Sequence, residues 1–425
     1  MCKTKMAVNA SEPTSARRAS SRPSSTRSPR NLTATDSSSS SAGAYSSSAA
    51  SFPSSTGGGG NSSFTPATSS VSSQTSLSSL RKSIPQNPHI YDVAEIRTAT
   101  NNFLAKPYST SSSTSSSASS AKCWRCSLRG ADTIVFQRKF RRRLTSEEVN
   151  RRLAVIGRSH HVSLVKLLGA AVSGEHIYLV YEFVPGANLS DCLRNRINPN
   201  FTVLSTWTSR IQIAADVAHA LDYIHHKTGL NLALVHNHIK SSAIIVTDPD
   251  LTARICHFGA AYLSGDVVEQ EGNLDGSEAS FEGVMGYMAP EFQVTGVPTQ
   301  ETDVYALGVV ILELVSGEEP LKYRFDRGRG DFVRTSVIET AREAVEEGEI
   351  RLRRWVDRKL RDSFPVDVAE KLVRLALECV HVEPSQRPRM GRVAGKMSRL
   401  FLESQAWSEK MRMPNDQISV SLAPR

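Results

Sequence analysis

Leu234-Val235-His236-Asn237-His238-Ile239-Lys240-Ser241-Ser242-Ala243-Ile244-Ile245-Val246 is the stretch on which the fold turns. Apolar residues bracket a polar, histidine-rich centre, and the pattern reads as a short strand-loop piece over 233–247, with a second one over 251–256. Nineteen residues after His238 stands His257, inside Ile255-Cys256-His257-Phe258-Gly259. Ahead of this region come short alternating strands, Cys123–Leu128, Thr133–Phe140, Leu164–Val172 and His176–Phe183. A helix over Ser146–Ser159 interrupts them, and 89–104 carries Ile90, Val93, Ile96 and Phe103 at near-helical spacing. After Gly186 the pattern turns helical: Thr208–His226, then Gln300–Ser316, Val337–Glu347, Val366–Val382 and Met390–Glu403. A small β-rich lobe followed by a larger helical one predicts an α+β domain of two lobes. No internal repeat is evident.

Composition marks the ends of that domain. Residues 1–88 are dominated by Ser, Thr, Ala, Gly and Pro, with too little apolar surface to offset chain entropy, and read as a disordered tail. The expected organisation is a tail over 1–88, a domain over 89–405 divided at 185/186, and a C-terminal tail over 406–425. The apolar run from Val304 to Val315 is broken by Glu313 and is too short to span a bilayer. Six scattered cysteines fit a reducing compartment. Cys123 and Cys126 form a CxxC on a strand, where residues three apart face opposite ways, so no zinc site is expected.

The net charge of +9 has two sources. The tail holds Glu12 and Asp36 as its only acids beside Arg17, Arg18, Arg22, Arg27, Arg30, Arg81 and Lys82. The second source is Arg138-Lys139-Phe140-Arg141-Arg142-Arg143. A solvated loop edge is the plain reading of that cluster; an acidic partner, an anionic membrane and a nuclear import signal are the sharper ones. The segment from Asp266 to Glu282 carries six acids and no base, a candidate intramolecular partner for it.

Seven words, in order, carry a resemblance to the plant receptor-like serine/threonine protein kinases: EIRTATNNF (95–103), LVKLLGA (164–170), IYLVYEFVPGANLSDCL (177–193), LVHNHIKSSAIIV (234–246), GYMAPEF (286–292), TDVYALGVVILELVSGEEP (302–320) and PSQRPRM (384–390). The wording is similar to the LysM-type receptor-like kinases and to the family's cytoplasmic branch. The resemblance implies a two-lobed protein-kinase-like fold, and it makes the departures from the family pattern informative.

Where the family closes a glycine-rich loop over ATP, residues 104–129 contain no glycine, and a Ser/Thr run fills 109–121. Reading Ile134-Val135-Phe136 as the apolar triplet before the phosphate-binding lysine puts Gln137 at that position. Val135 then stands against adenine, and Lys139 becomes a rescue displaced by roughly 6–7 Å. The helix glutamate that pairs with the lysine aligns with Arg152. His238 replaces the aspartate that accepts the substrate proton, Ala243 the asparagine on magnesium, and His257 the metal-binding aspartate. Magnesium prefers hard oxygen ligands. Loss of a general base alone lowers rate by about 10²–10⁴-fold. The resemblance therefore implies a pseudokinase, with a vestigial nucleotide cleft at Val135, Gln137, Lys139, Tyr181 and Lys240. Neither ATP nor magnesium is expected to bind well. Two histidines at one cleft also raise a transition-metal site, but no third ligand is assignable and no metal is expected.

Structural positions of the family are filled: Ile156, Leu167, His236 and Phe258 as the apolar spine between lobes, Glu291 with Arg387 as a buried ion pair, Asp303 as the cap of the catalytic-loop backbone, and Tyr181 as gatekeeper. The expected function is a scaffold or allosteric partner of other receptor-like or cytoplasmic kinases, in the cytoplasm, with no nucleic-acid partner. Peripheral contact with an anionic plasma-membrane surface is a further expectation, through the basic tail or acylation of Cys2 beside Lys3 and Lys5. Ser20 and Ser83, each following basic residues, resemble phosphorylation sites. Two alternatives stand beside this reading: a divergent ATP-dependent kinase using Lys139 and His238, and an adaptor working through its phosphorylated tail.

Overall fold

The computed structural model describes residues 88–108, 122–142, 144–230, 233–266, 283–326, 328 and 330–412. The expectations for the tail 1–87, including Cys2, Ser20 and Ser83, for the serine run 109–121, for the acidic stretch 267–282 and for residues 413–425 lie outside the described residues.

The first lobe is built on a five-stranded sheet in the order β1-β4-β5-β3-β2. These strands are β1 (His89–Ile90), β2 (Cys123–Leu128), β3 (Ala131–Lys139), β4 (Leu167–Ser173) and β5 (His176–Glu182). All neighbours are antiparallel except β1 and β4. Helix α1 (Val93–Ala99) starts where the Asp92 carboxylate accepts from the Ala94 N–H. It helps cover one face of the sheet with a cluster of Tyr91, Ile96, Trp124, Leu128, Val135, Ala171, Tyr178 and Val180. Helix α2 (Ser146–Ile156), capped by Thr145, packs on the other side. The strand pattern runs as the alternation predicts, while α1 is shorter than the 89–104 pattern. Asn101, Asn102 and Phe103 all take positive φ and end it.

The second lobe opens with β6 (Ala187–Asn188) and α3 (Leu189–Leu193), then the long α4 (Trp207–Asp222). β7 (Ile244–Val246) and β8 (Ala253–Ile255) complete a three-stranded sheet with β6. Helix α5 (Ala260–Leu263) follows, then α6 (Pro290–Thr295) and α7 (Gln300–Ser316). Every residue of α7 from Thr302 to Ser316 is buried, as for a helix packed on all sides. Its ends are set by a Thr299–Thr302 capping box and by Gly317 at φ 71°. A hairpin, β9 (Leu321–Asp326) and β10 (Asp331–Ser336), precedes α8 (Val337–Glu346), α9 (Glu349–Trp355), α10 (Val366–Cys379) and α11 (Met390–Arg412). The last helix runs past the expected boundary at 405, anchored where Trp207 Nε1 donates to Ser404 Oγ at 2.8 Å. Between the lobes, Leu164 forms a parallel bridge with Ile255. Among the described residues, no helix is long and apolar enough to cross a membrane.

Candidate functional site

The facing of β3 decides what enters the cleft between the lobes. In an antiparallel pair, residues in register share a face. Val135 pairs with Val180 and Gln137 with Tyr178, which puts both on the outer face with α1. Phe136 pairs with Leu179 and Arg138 with Ile177, on the inner face. Three expectations are thereby corrected. Val135 packs in the outer cluster rather than against a nucleotide. Gln137 lies half-buried on the outer face, and Lys139 is an exposed residue paired with Glu175 at 3.1 Å. The residue that reaches the cleft is Arg138, which the sequence reading missed by one position.

Arg138 is 6% exposed and meets three partners. Its Nε donates to Ser264 Oγ at 3.0 Å, one terminal nitrogen donates to Asp266 Oδ2, and the other meets His238 Nε2. Ser264 Oγ in turn donates to Asp266 Oδ1 at 3.0 Å. Asp266, the first acid of the expected acidic partner segment, is thus bonded to the first arginine of the basic cluster. A guanidinium only donates, so His238 Nε2 must accept with its lone pair, leaving the ring proton on Nδ1. Burial, and then the charge of Arg138, hold the His238 imidazole well below its ordinary pKa.

His257 sits at φ 66°, directly before Phe258 and Gly259. Its ring lies 4.2 Å from that of Phe136 and 5.9 Å, edge-on, from Tyr181. Its Nδ1 is buried with no hydrogen-bond partner among the described residues. Burial first, then the charge of Lys240, push its pKa down to about 3. The Tyr181 hydroxyl donates to the Phe258 carbonyl at 3.0 Å. Ala243 is buried, and its carbonyl accepts from the Cys256 N–H at 2.9 Å. The half-buried Lys240 stands between His238 and the short helical turn Ser241–Ala243.

These groups are a poor match to magnesium and a triphosphate. Ala243 offers no side-chain ligand, His257 offers a nitrogen, and the Asp266 carboxylate is bonded to Arg138. The Arg138 guanidinium is itself neutralised by that carboxylate. Among the described residues no three His, Cys, Asp or Glu side chains converge as a metal site. Cys123 packs with the inner core and Cys126 with the outer cluster, both as free thiols.

Arg152 does not face Gln137. It is 1% exposed, bonded to Glu148 Oε1 and to the Tyr262 carbonyl, each at 2.6 Å. The structural positions are brought together: Ile156, Leu167 and Phe258 line one cavity of about 280 Å³ behind the cleft. Gly259 belongs there because a Cβ would lie 2.7 Å from Ile156 Cγ2. His236 is buried beside them and bonds the Cys256 carbonyl through Nε2 at 3.0 Å; burial lowers its pKa to about 4. Asp303 accepts from the His236 and Asn237 amides at 2.7 and 2.8 Å. Glu291 and Arg387 form a two-pronged pair at 2.6 and 2.7 Å.

Sequence reasoning also missed a buried network around Glu313, which is 0% exposed. It accepts from Arg194 at 2.6 Å, Tyr287 at 2.7 Å and Ser241 at 2.9 Å. The available signal was a glutamate inside an otherwise apolar helix, since a buried charge requires partners.

The profile of the protein tyrosine and serine/threonine kinases matches residues 133–397. LysM domain receptor-like kinase 3 of Arabidopsis thaliana is 32% identical over 269 residues, which cover 62% of this chain and 40% of that protein. The chain thus spans less than half of that relative's length. PTI1-like tyrosine-protein kinase 1 of the same plant is 31% identical, covering 60% of this chain and 68% of its own length. The solved pseudokinase domain of BIR2, an immune regulator of the RLK/Pelle family, superposes with a TM-score of 0.54 at 23% identity, covering 79% of this chain and 94% of that one. The filled cleft therefore sits in a kinase-like fold, and the chain belongs to the protein tyrosine and serine/threonine kinase family, with plant receptor-like kinases among its relatives.

Proposed function

We propose that this chain is a kinase-fold protein without phosphotransfer activity, acting in receptor-kinase signalling as a scaffold or allosteric partner of other protein kinases. The observation that carries this is the Arg138 cluster. The one cation facing the cleft from β3 is bound by Asp266, and the His238 lone pair that would accept a substrate proton is taken by the same guanidinium. A base whose lone pair is engaged cannot receive a proton, so His238 supports no substitute chemistry. Phosphoryl transfer depends on positioning and charge neutralisation, and Ala243 and His257 supply neither of the usual metal ligands. Neither ATP nor magnesium is a ligand on this reading. The structural neighbour from BIR2, a pseudokinase domain described as that of an immune regulator, supports a kinase fold put to use without being named a kinase. The protein works at the cytoplasmic side, with peripheral contact to an anionic membrane through its basic start or an acylated Cys2.

The test is incubation of the full chain with labelled ATP and Mg²⁺ or Mn²⁺, using myelin basic protein as acceptor, beside a thermal-shift titration with the same nucleotide. A ligand at about 100 times its Kd stabilises by about 2.7 kcal/mol. The expected outcome is no label transfer and no metal-dependent shift. Label transfer that His238→Ala abolishes overturns the proposal.

A further inference from the structure

The hairpin β9–β10 stands apart from the packed helices. Among the described residues its strands pair only with each other, and five of the six residues of β10 are exposed. Tyr323, Phe325 and Phe332 are 61%, 50% and 64% exposed, an unusual outlay of aromatic surface for a soluble domain. A two-stranded hairpin alone is marginally stable in water, and an open strand edge is a template for another strand. Leu321, at the base of β9, packs beside Gly286.

Register shows what fits the β10 edge. Within the hairpin, Phe332 is paired with Phe325, Arg334 with Tyr323, Val333 with Arg324, and Thr335 with Lys322. Let a second β10 run antiparallel to the first about a two-fold axis at Val333. Val333 then meets Val333, Phe332 of one copy meets Arg334 of the other, and Asp331 meets Thr335. Each Arg334 comes to lie between Phe332 of the second copy and its own Tyr323, a guanidinium flanked by two rings on one face. On the opposite face Asp331 comes within one strand of Lys322 of the second copy. No like charges stand directly opposite across the new seam, and two valines separate the Arg324 side chains. The hairpin carries both signs of charge, so its complement is itself rather than a uniformly acidic surface.

We infer that the β10 edge is a self-association surface that joins two copies of this chain into a two-fold dimer through a continuous four-stranded sheet. Such an interface is isologous, so the same patch serves both copies. It is independent of whether the cleft transfers phosphate.

The experiment is sedimentation velocity and light scattering of the full chain across micromolar concentrations, where the expected mass is twice 46.4 kDa. Val333→Lys places two ammonium groups on the axis, and the expected result is loss of the dimer with an unchanged melting temperature. Val333→Cys tests the register without demanding a perturbed fold. Residues facing across an antiparallel pair have Cα atoms about 4.5–5.5 Å apart, within disulfide reach. Mild oxidation should therefore give a covalent dimer absent from the wild type and from Thr335→Cys, whose counterpart across the seam is Asp331. A monomer at every concentration overturns the proposal. So does a dimer that survives Val333→Lys, or equal cross-linking from both cysteine variants.

Discussion

An imidazole held against a guanidinium has one protonation state open to it, and the cleft of this protein contains three imidazoles under related constraint. His238 accepts from Arg138, His236 accepts from the His238 N–H through Nδ1 at 3.2 Å while bonding the Cys256 carbonyl, and His257 is packed between Phe136 and Tyr181. Burial is the largest cause in each case, and it disfavours the charged ring. In the unfolded chain all three titrate near about 6.5. In the fold His236 is held to about 4, His257 to about 3 and His238 well below its ordinary value. Between these limits the unfolded chain binds more protons, so the contribution to stability is complete above about pH 6.5 and is lost as pH falls. The expected outcome is a urea midpoint that declines between about pH 7 and pH 5, with these three rings contributing an uptake on unfolding that approaches about three protons. His257→Phe should reduce that dependence by about one proton. A midpoint flat over this range would show that the three rings are not held neutral by the fold.

Elements differ in how far their sequence announces them, and α7 and β3 are the two extremes. Gln300–Ser316 is legible to its ends because local chemistry marks both: the Thr299 and Thr302 side chains bond reciprocally, and Gly317 takes φ 71°. Thr299→Ala is expected to lower unfolding stability by about 1 kcal/mol, as for other lost helix caps, with denaturant titration as the check. An unchanged midpoint would mean that packing alone fixes the helix start. β3 is the reverse case. Its apolar residues serve two cores, Val135 in the outer cluster and Phe136 in the inner one, so alternation does not reveal which face is which. A phase error of one residue then moved the cleft position from Arg138 to Gln137 and Lys139. The spine and cap residues were legible because they stand inside long fixed words. The Arg138–Asp266 contact was legible only as an acidic segment offered to a basic cluster; its members are 128 residues apart, and only folding picks out the pair. The hairpin β9–β10 was likewise unread, since its strands lack a buried face to give them a pattern.

At the scale of the molecule, the Arg138 cluster acts as a clasp between lobes. Its guanidinium comes from the first lobe's sheet, while Ser264, Asp266 and His238 belong to the second. Both charged partners are at least nine-tenths buried, at 6% and 8% exposure. Removing one member of a buried pair leaves the other uncompensated, a loss of about 3–5 kcal/mol, whereas replacing both by apolar groups is often close to neutral. The consequences should be unequal across the structure. Helix α10 packs against both α7 and α11, and none of the clasp residues lies on these helices. The clasp joins β3 to the segment 233–240, beside the Leu164–Ile255 bridge, the Tyr181–Phe258 and Arg152–Tyr262 hydrogen bonds and the Phe136–His257 ring contact that also link the lobes. For Asp266→Ala, hydrogen exchange should therefore quicken in β3, in 233–240 and around Ser264, while amides of α7 and α10 keep their protection. Arg138→Met combined with Asp266→Leu should restore much of the lost protection, because no buried charge remains to draw water between the lobes. If exchange quickens uniformly in the single variant, the lobes form one cooperative unit and the clasp is ordinary core. If it does not quicken at all, the lobes are held by their remaining contacts, and Arg138 serves only to occupy the cleft.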